Sequence, residues 1–320
     1  MTNIRDIAKL AGVSKSTVSR VINNEGYVSE EKKEAVQQAI KISNYQKNMN
    51  AVRLSAGKTF LIGVVIPFSD HPYFAQLIKG ISNEALTTKY HLILIQSDYK
   101  ESREIEALDM LKHKLIDALI ICSRICDWSV IDQYESYGPI VLCEDTRGKK
   151  TPSTFIDHYK SFITALEYLY QKGHKKIGYC IGRRSGPNSL RRESAYKNFM
   201  RKINEPFRPH YIFEHCLYFE DGERVLKQIR EISDPPTALL VTSDQVAAGI
   251  LTCSQKEKIV IPEDLAIIGF DNQPIAEIMN ITTIEMPLVE IGRKLFLQAV
   301  SEEAVFHEEI DIRLIERKTV

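Results

Sequence analysis

The sequence predicts a small all-α head followed by a larger α/β body, and three observations predict it. Residues 4–23 (IRDIAKLAGVSKSTVSRVIN) form two short amphipathic segments that meet at a Gly-Val-Ser corner. From residue 60 onward, apolar runs alternate with helical stretches. Between these regions, residues 46–59 (QKNMNAVRLSAGKT) read as a polar linker.

In the head, Ile4, Ile7, Ala8 and Ala11 recur at helical spacing, and Asn3 with Asp6 three residues later forms a capping box. A second segment starts at Ser14, a good N-cap, and turns Val18, Val21 and Ile22 to one face. Its other face carries Lys15, Ser16, Ser19, Arg20 and Asn23. A glycine-containing corner between two short helices is the pattern of a helix-turn-helix, whose second helix enters the DNA major groove. Ser29-Glu30-Glu31 opens a third helix to about Ile42, with Ala35, Val36, Ala39 and Ile40 inward. In the linker, residues 50–56 have a short helical pattern with Gly57 as C-cap. That is shorter than the ~12–15 residues at which an isolated helix becomes marginal, so the segment needs an outside partner to stay ordered.

The chain has 320 residues and a formal charge of zero, which taken alone argues against a nucleic-acid partner. The distribution reverses that impression. Up to residue 60, the cations Arg5, Lys9, Lys15, Arg20, Lys32, Lys33, Lys41, Lys47, Arg53 and Lys58 outnumber Asp6, Glu25, Glu30, Glu31 and Glu34, and the rest of the chain is correspondingly acidic. A basic head on an acidic body fits a DNA-binding domain joined to something that does not bind DNA. The six cysteines form no CxxC pair and no zinc-spaced cluster, so no metal or other cofactor is expected. No secretory signal and no run of the ~20 apolar residues needed to span a bilayer is present, which points to a cytoplasmic location and no membrane partner.

Apolar strand runs stand at residues 61–66, 91–95, 117–122, 139–143, 176–181, 237–242 and 264–268. A helix over residues 74–89 puts Phe74, Leu77, Ile78, Ile81 and Ala85 on one face. Continuous apolar strands alternating with helices mean parallel sheets covered on both faces. The length of the body calls for two similar subdomains. Open parallel sheets bind ligands beyond the carboxyl ends of their strands. The loops there (67–74, 182–192 and 269–272) are rich in polar and aromatic groups.

This layout resembles the LacI/GalR family of bacterial transcription regulators along the whole chain. The head follows the family's I-x-D-[IV]-A-x-x-A-G-V-S-x-x-T-V-S-R-V-[IL]-N pattern, and the linker keeps Ala51-x-x-Leu54-x-x-Gly57-Lys58. In order come Tyr73-Phe74, Phe155-Ile-Asp157, Gly173-His174, Arg192-x-x-Ala-Tyr196, Ser243-Asp244-Gln-Val-Ala-Ala-Gly249, residues 261–271 (IPEDLAIIGFD), Thr282-Thr283-Ile and Leu314-Ile-Glu-Arg317. Tyr137-Gly-Pro, Cys143-Glu-Asp-Thr and Ser69-Asp-His-Pro look most like the Gram-positive catabolite-control branch, on the side of its protein B.

The resemblance implies a helix-turn-helix domain at residues 1–46, a hinge helix or linker at 47–59, and an effector-binding and dimerisation domain at 60–320. That last domain is periplasmic-binding-protein-like, with two Rossmann-like subdomains: an N-subdomain of about 60–158 plus 287–320 and a C-subdomain of about 159–286. It places Lys15, Ser16 and Arg20 on the operator's bases and Thr17 and Asn23 on phosphates, since base edges specify and phosphates position. Ala51 and Leu54 fall on the hinge, with Leu54 wedged into the minor groove at the operator centre, at a cost in unstacking that the bend repays. The family's usual arginine two residues before this leucine is replaced by Val52. The effector-cleft candidates are Tyr73, Phe74, Asp157, Arg192, Asp244 and Asp271, an aromatic face with charged groups that suits sugars or purines. Four of them have a plainer reading: Phe74 as core, Asp271 or Asp244 as a helix cap, Arg192 paired with Glu193 or a surface acid. His71 has no nucleophile or carboxylate at a telling spacing and reads as a surface or ligand-facing group.

Together these readings predict a transcriptional repressor, not an enzyme. It binds a pseudopalindromic double-stranded operator as a homodimer and answers to a small molecule: a sugar, a sugar phosphate or a purine. The end of the chain, without a heptad tail, favours a dimer. One alternative is control by a seryl-phosphorylated protein corepressor. The tyrosine and final arginine of that branch's Tyr-Asp-x-Gly-x-x-x-x-Arg surface are missing from Val289-Glu-Ile-Gly292-Arg-Lys-Leu-Phe-Leu297, although Glu290 and Arg293 remain. Another is a sugar-sensing binding protein with no DNA-reading role. The absence of P-loop, GxGxxG, GxSxG and HExxH motifs speaks against a kinase or isomerase fused to a DNA head.

Overall fold

A computed structural model describes residues 3–45, 57–301 and 305–320. It divides into two units, residues 1–58 and 59–320. The hinge positions Ala51 and Leu54 lie outside the described residues, as does the expected helix at 50–56. Gly57 has a φ of +67°, the left-handed backbone a C-cap glycine adopts.

The head has three helices among its described residues: α1 (Ile4–Leu10), α2 (Lys15–Asn23) and α3 (Glu30–Ile42). The expected capping box is present, with Asn3 Oδ1 accepting from the Asp6 amide and the Asp6 carboxylate accepting from the Asn3 amide. Ser14 caps α2 by accepting from the Thr17 amide at 3.1 Å, an interaction worth about 1 kcal/mol. Ile7, Ala8, Val18, Val36 and Ala39 make the head's core, and Val21 and Ile22 pack against it half-buried.

The body contains two six-stranded sheets. The first runs β11-β5-β4-β3-β1-β2, from β1 (Leu61–Ile66), β2 (His91–Gln96), β3 (Ala118–Ile121), β4 (Ile140–Leu142), β5 (Ser153–Phe155) and β11 (His307–Glu309). The second runs β12-β10-β9-β8-β6-β7, from β6 (Ile177–Cys180), β7 (Ile212–Phe213), β8 (Ala238–Val241), β9 (Ala266–Asp271), β10 (Thr283–Glu285) and β12 (Arg313–Ile315). All ladders are parallel except β10 with β12. The crossover helices include α4 (Pro72–Ala85), α5 (Glu101–Lys112), α6 (Trp128–Ile131), α7 (His158–Gln171) and α8 (Pro187–Lys202). The later ones are α9 (Asp221–Glu231), α10 (Asp244–Glu257), α11 (Pro274–Ile278) and α12 (Leu288–Val300).

Two expectations change. Helix α4 stops at Ala85 rather than Lys89, because the Thr87 and Thr88 hydroxyls turn back onto the carbonyls of Glu84 and Ala85. The stretch after Ile310 does not belong with the N-subdomain. The Ile310 amide still bonds the Phe155 carbonyl of the first sheet, but β12 then pairs antiparallel with β10 of the second. Thr319 secures the crossing, with its hydroxyl donating to the Ile267 carbonyl at 2.7 Å and accepting from the Thr282 amide at 2.9 Å.

Candidate DNA interface and effector cleft

On α2 the apolar residues Val18, Val21 and Ile22 occupy one side. At 100° per residue, Lys15, Ser16, Ser19, Arg20 and Asn23 then fall within a single arc on the other. Lys15, Ser16, Arg20 and Asn23 are exposed. Among the described residues no acidic side chain forms a salt bridge with Lys15 or Arg20, so both cations are free for an anionic partner. Thr17 is half-buried at the edge of the arc. Its hydroxyl and that of Ser16 lie 2.9 and 2.7 Å from Ser14 Oγ, so both take part in the helix start. Tyr27, in the loop after α2, is 91% exposed and is an additional candidate on this side of the sequence.

In the body, the carboxyl ends of β1, β2, β3, β4, β6, β8 and β9 converge on one cleft of about 110 Å³. The structure brings Tyr73, Phe74, Arg192 and Asp271 together there, and leaves out Asp157 and Asp244. Asp157 instead caps α7, accepting from the amides of Tyr159 (2.9 Å) and Lys160 (3.2 Å). Asp244 is fully buried behind β9, accepting from the Gln273 amide and the Thr283 hydroxyl at 2.8 Å each. Asp157 is thus a helix cap, while Asp244, expected either in the cleft or as a cap, neither lines the cleft nor caps its own helix.

Asp271 is a cleft group rather than a cap. It closes β9 with φ +96°, a strained backbone for a side-chain-bearing residue. It accepts from Gln273 Nε2 at 3.0 Å, and burial pushes its carboxyl up to about 7 against the pull of Arg192. Arg192 does not pair with Glu193, which is taken by Arg184 and Lys197. Arg192 Nη2 lies 3.1 Å from His158 Nδ1. A guanidinium cannot accept, so the imidazole nitrogen must, and burial next to arginines keeps His158 neutral, well below the usual histidine range. Arg192 Nε is buried with no hydrogen-bond partner among the described residues, and so is Ser243 Oγ. Both residues line the cleft. Phe74 is 6% exposed and belongs to core and cleft wall alike.

Of the two readings of His71, the surface one fails: the residue is buried and lines the cleft. Its Nδ1 accepts from the Tyr73 amide as the N-cap of α4, and burial lowers its basicity.

The sequence reading missed several lining groups. Arg124 and Glu144 form a buried ion pair at 2.6 Å, with the Arg124 guanidinium 4.6 Å from the Trp128 ring centre. Arg183 reaches across the cleft, donating to Ser123 Oγ and the Arg124 carbonyl at 3.2 Å each, 3.9 Å above the Tyr99 ring. Tyr218 crosses as well, donating to Asp70 at 3.0 Å. Glu144 was visible in the Cys143-Glu-Asp-Thr motif and Arg183 in the loop after the run at 176–181. Nothing local marks which loop residue points inward.

Residues 3–48 match the family described as "Bacterial regulatory proteins, lacI family". Residues 59–319 match "Periplasmic binding proteins and sugar binding domain of LacI family", most of the chain. The chain belongs to the LacI family.

This LacI-family chain is 40% identical over 323 residues, and over the full length of both proteins, to the uncharacterized HTH-type transcriptional regulator YkvZ of Bacillus subtilis (strain 168). It is 35% identical to catabolite control protein B of the same organism, over 95% of this chain and 96% of that protein. Among solved structures, a LacI-family regulator from Silicibacter pomeroyi superposes with a TM-score of 0.82 at 22% identity, covering 100% of this chain and 99% of that one. A Lactobacillus casei regulator with bound glucose superposes at 0.73 and 23% identity, covering 81% and 99%. As in its family, the chain couples a DNA-binding head to an effector-binding body, and it is related to regulators of the catabolite-control branch. No helix among the described residues is long and apolar enough to cross a membrane.

Proposed function

We propose that this LacI-family regulator is a homodimeric repressor whose body binds a small polyol and whose heads read a pseudopalindromic operator. The observation that carries the effector reading is the pair of orphaned buried polar atoms, Arg192 Nε and Ser243 Oγ, beside Asp271 in one cleft. Buried polar groups are almost always paired, and a ligand hydroxyl would complete both. The cleft is small beside the roughly 300–1,000 Å³ of drug-sized sites, which favours a ligand of one sugar ring. The glucose-bound neighbour supports that scale.

In this reading Lys15, Ser16 and Arg20 contact base edges, with Thr17 and Asn23 holding phosphates and register, and Ala51 and Leu54 engage the operator centre. Ligand binding changes the hinge separation through the subdomains. A coupling of ~1–3 kcal/mol between the sites suffices. Control by a phosphoprotein corepressor has less support. Glu290 and Arg293 occupy each other through two bonds of 2.8 and 2.7 Å, and Gly292 serves helix packing.

The test is selection of bound sites from random DNA by the full-length protein, with and without sugars, sugar phosphates and purines. A two-fold motif whose enrichment one ligand gains or removes supports the reading. Enrichment that no ligand changes removes the effector half of it, and no enrichment under any condition removes the DNA half.

A further inference from the structure

Once internal pairs are set aside, the cleft holds excess positive charge. Arg124 and Glu144 satisfy each other. That leaves Arg183 and Arg192 in the cleft with one further carboxyl, Asp271, which Arg192 faces, while Arg183 lies nearer Glu144; burial keeps His71 and His158 from adding charge. Among the described residues Arg183 has no acidic partner, and its two hydrogen bonds go to a hydroxyl and a carbonyl.

Beside it helix α8 begins, 16 residues long, with Gly186 at its N-cap and Pro187 at its first position. Glycine has no side-chain oxygen to offer the first-turn amides, and the helix start favours negative charge. Asn188 and Ser189 of that turn line the cleft. A Cβ on Gly186 would stand 2.8 Å from Arg183 Nη2, so glycine here leaves the guanidinium its place. Ser243, 2% exposed, presents an unpartnered Oγ to the same cleft, and Arg192 an unpartnered Nε. Both atoms are placed to bond a ligand in the cleft.

We propose that the effector carries an anionic group, phosphate or carboxylate, held by Arg183 and the N-terminus of α8, with its hydroxyls on Arg192, Asp271 and Ser243. This rests on the reading of the cleft as the effector site. It adds to that reading the charge class of the ligand and a specificity-determining residue, Arg183. A guanidinium stacked on an aromatic ring and in no salt bridge among the described residues, its nearby carboxylate Glu144 being paired with Arg124, suits an oxyanion, which can accept from its fork.

The experiment is calorimetric titration of the full-length protein with glucose, fructose, ribose and galactose, each beside its phosphate ester and its sugar acid. Inorganic phosphate serves as competitor. The expected result is that an anionic member binds about tenfold or more tightly than its neutral parent, the size of one hydrogen bond to a charged group. Arg183→Gln brings the two together, while Arg183→Lys keeps part of the preference. The phosphate and acid arms decide which anion it is. Neutral sugars binding as well as their anionic forms overturn the inference and leave the sugar-cleft reading standing. A preference that survives Arg183→Gln overturns the assignment to Arg183. Binding by no member, neutral or charged, overturns both the inference and the reading beneath it.

Discussion

Asp271 shows how a cleft-lining carboxyl differs from a paired one at the scale of a residue. The folded protein holds its carboxyl at about 7, above the ordinary aspartate range, because burial disfavours the charge. Between that range and pH 7 the unfolded chain has released the proton and the folded one has kept it. Stability therefore falls as pH rises through this window, and the full penalty is present above about 7. Asp271→Asn is expected to stabilise the free protein by about 1–3 kcal/mol at pH 8, with little effect near pH 4, while weakening effector binding. Urea denaturation at the two pH values measures this, and an equal effect at both would refute it. Burial raises the Glu144 carboxyl as well, but Glu144 has an ion-pair partner in Arg124. Glu144→Ala leaves Arg124 buried without its counter-charge and is expected to cost about 3–5 kcal/mol, whereas replacing both partners by apolar residues recovers most of the loss. Thermal unfolding of the single and double variants distinguishes the pair from mere packing.

At the scale of elements, helices α4 and α12 cross so closely that their glycines are structural necessities. A Cβ on Gly292 would stand 2.1 Å from the Leu77 carbonyl oxygen, and one on Gly80 2.0 Å from that of Val289. Backbone cannot yield there as a flexible side chain would. Gly292→Ala is expected to destabilise the body by about 2 kcal/mol or more, through overpacking rather than loss of a partner surface. A shift of the urea midpoint smaller than that of an ordinary exposed substitution would contradict the close crossing. The same logic separates motif residues by task. Tyr196 donates to the Ile177 carbonyl at 2.7 Å, and Arg317 reaches Asn272 Oδ1 and the Ile281 carbonyl at 2.8 Å each. Arg317 braces the loop after Asp271 and Tyr196 ties α8 to the start of β6, and neither lines the cleft.

For the whole molecule, the proposed function couples two sites, and the hinge is where that coupling is tested. Leu54→Ala is expected to weaken operator binding while effector affinity stays unchanged, since an apolar wedge is worth a few kcal/mol only on bent DNA. Mobility-shift titration against the selected operator, beside calorimetry with the effector, measures the two affinities. Equal operator affinity for variant and parent would end the wedge role. Within the body, Arg183 and Tyr218 tie the two subdomains across the cleft. A ligand that replaces or reinforces those ties has the differential affinity that a population shift requires.

The three head helices, the Asn3 and Ser14 caps and seven strands were legible in the sequence, because local periodicity and capping chemistry define them. Five strands were not: β5, β7, β10, β11 and β12 are two or three residues long and, unlike the equally short β4 within the run at 139–143, stand in no longer apolar run. The cleft was legible in Tyr73, Phe74, Arg192 and Asp271, whose loops follow strand ends. It was not legible in Arg124, Glu144, His158 or Arg183, whose roles depend on partners far along the chain. Asp157, Asp244 and Asp271 are alike as residues, and each could cap a helix, bury itself or meet a ligand. Local sequence determined that this chain has a DNA-reading head and a two-sheet body. Only the tertiary structure decided which of the three carboxylates faces the cleft and which sheet receives the last strand, because burial and long-range hydrogen bonds are set by what packs against a residue rather than by its neighbours in sequence.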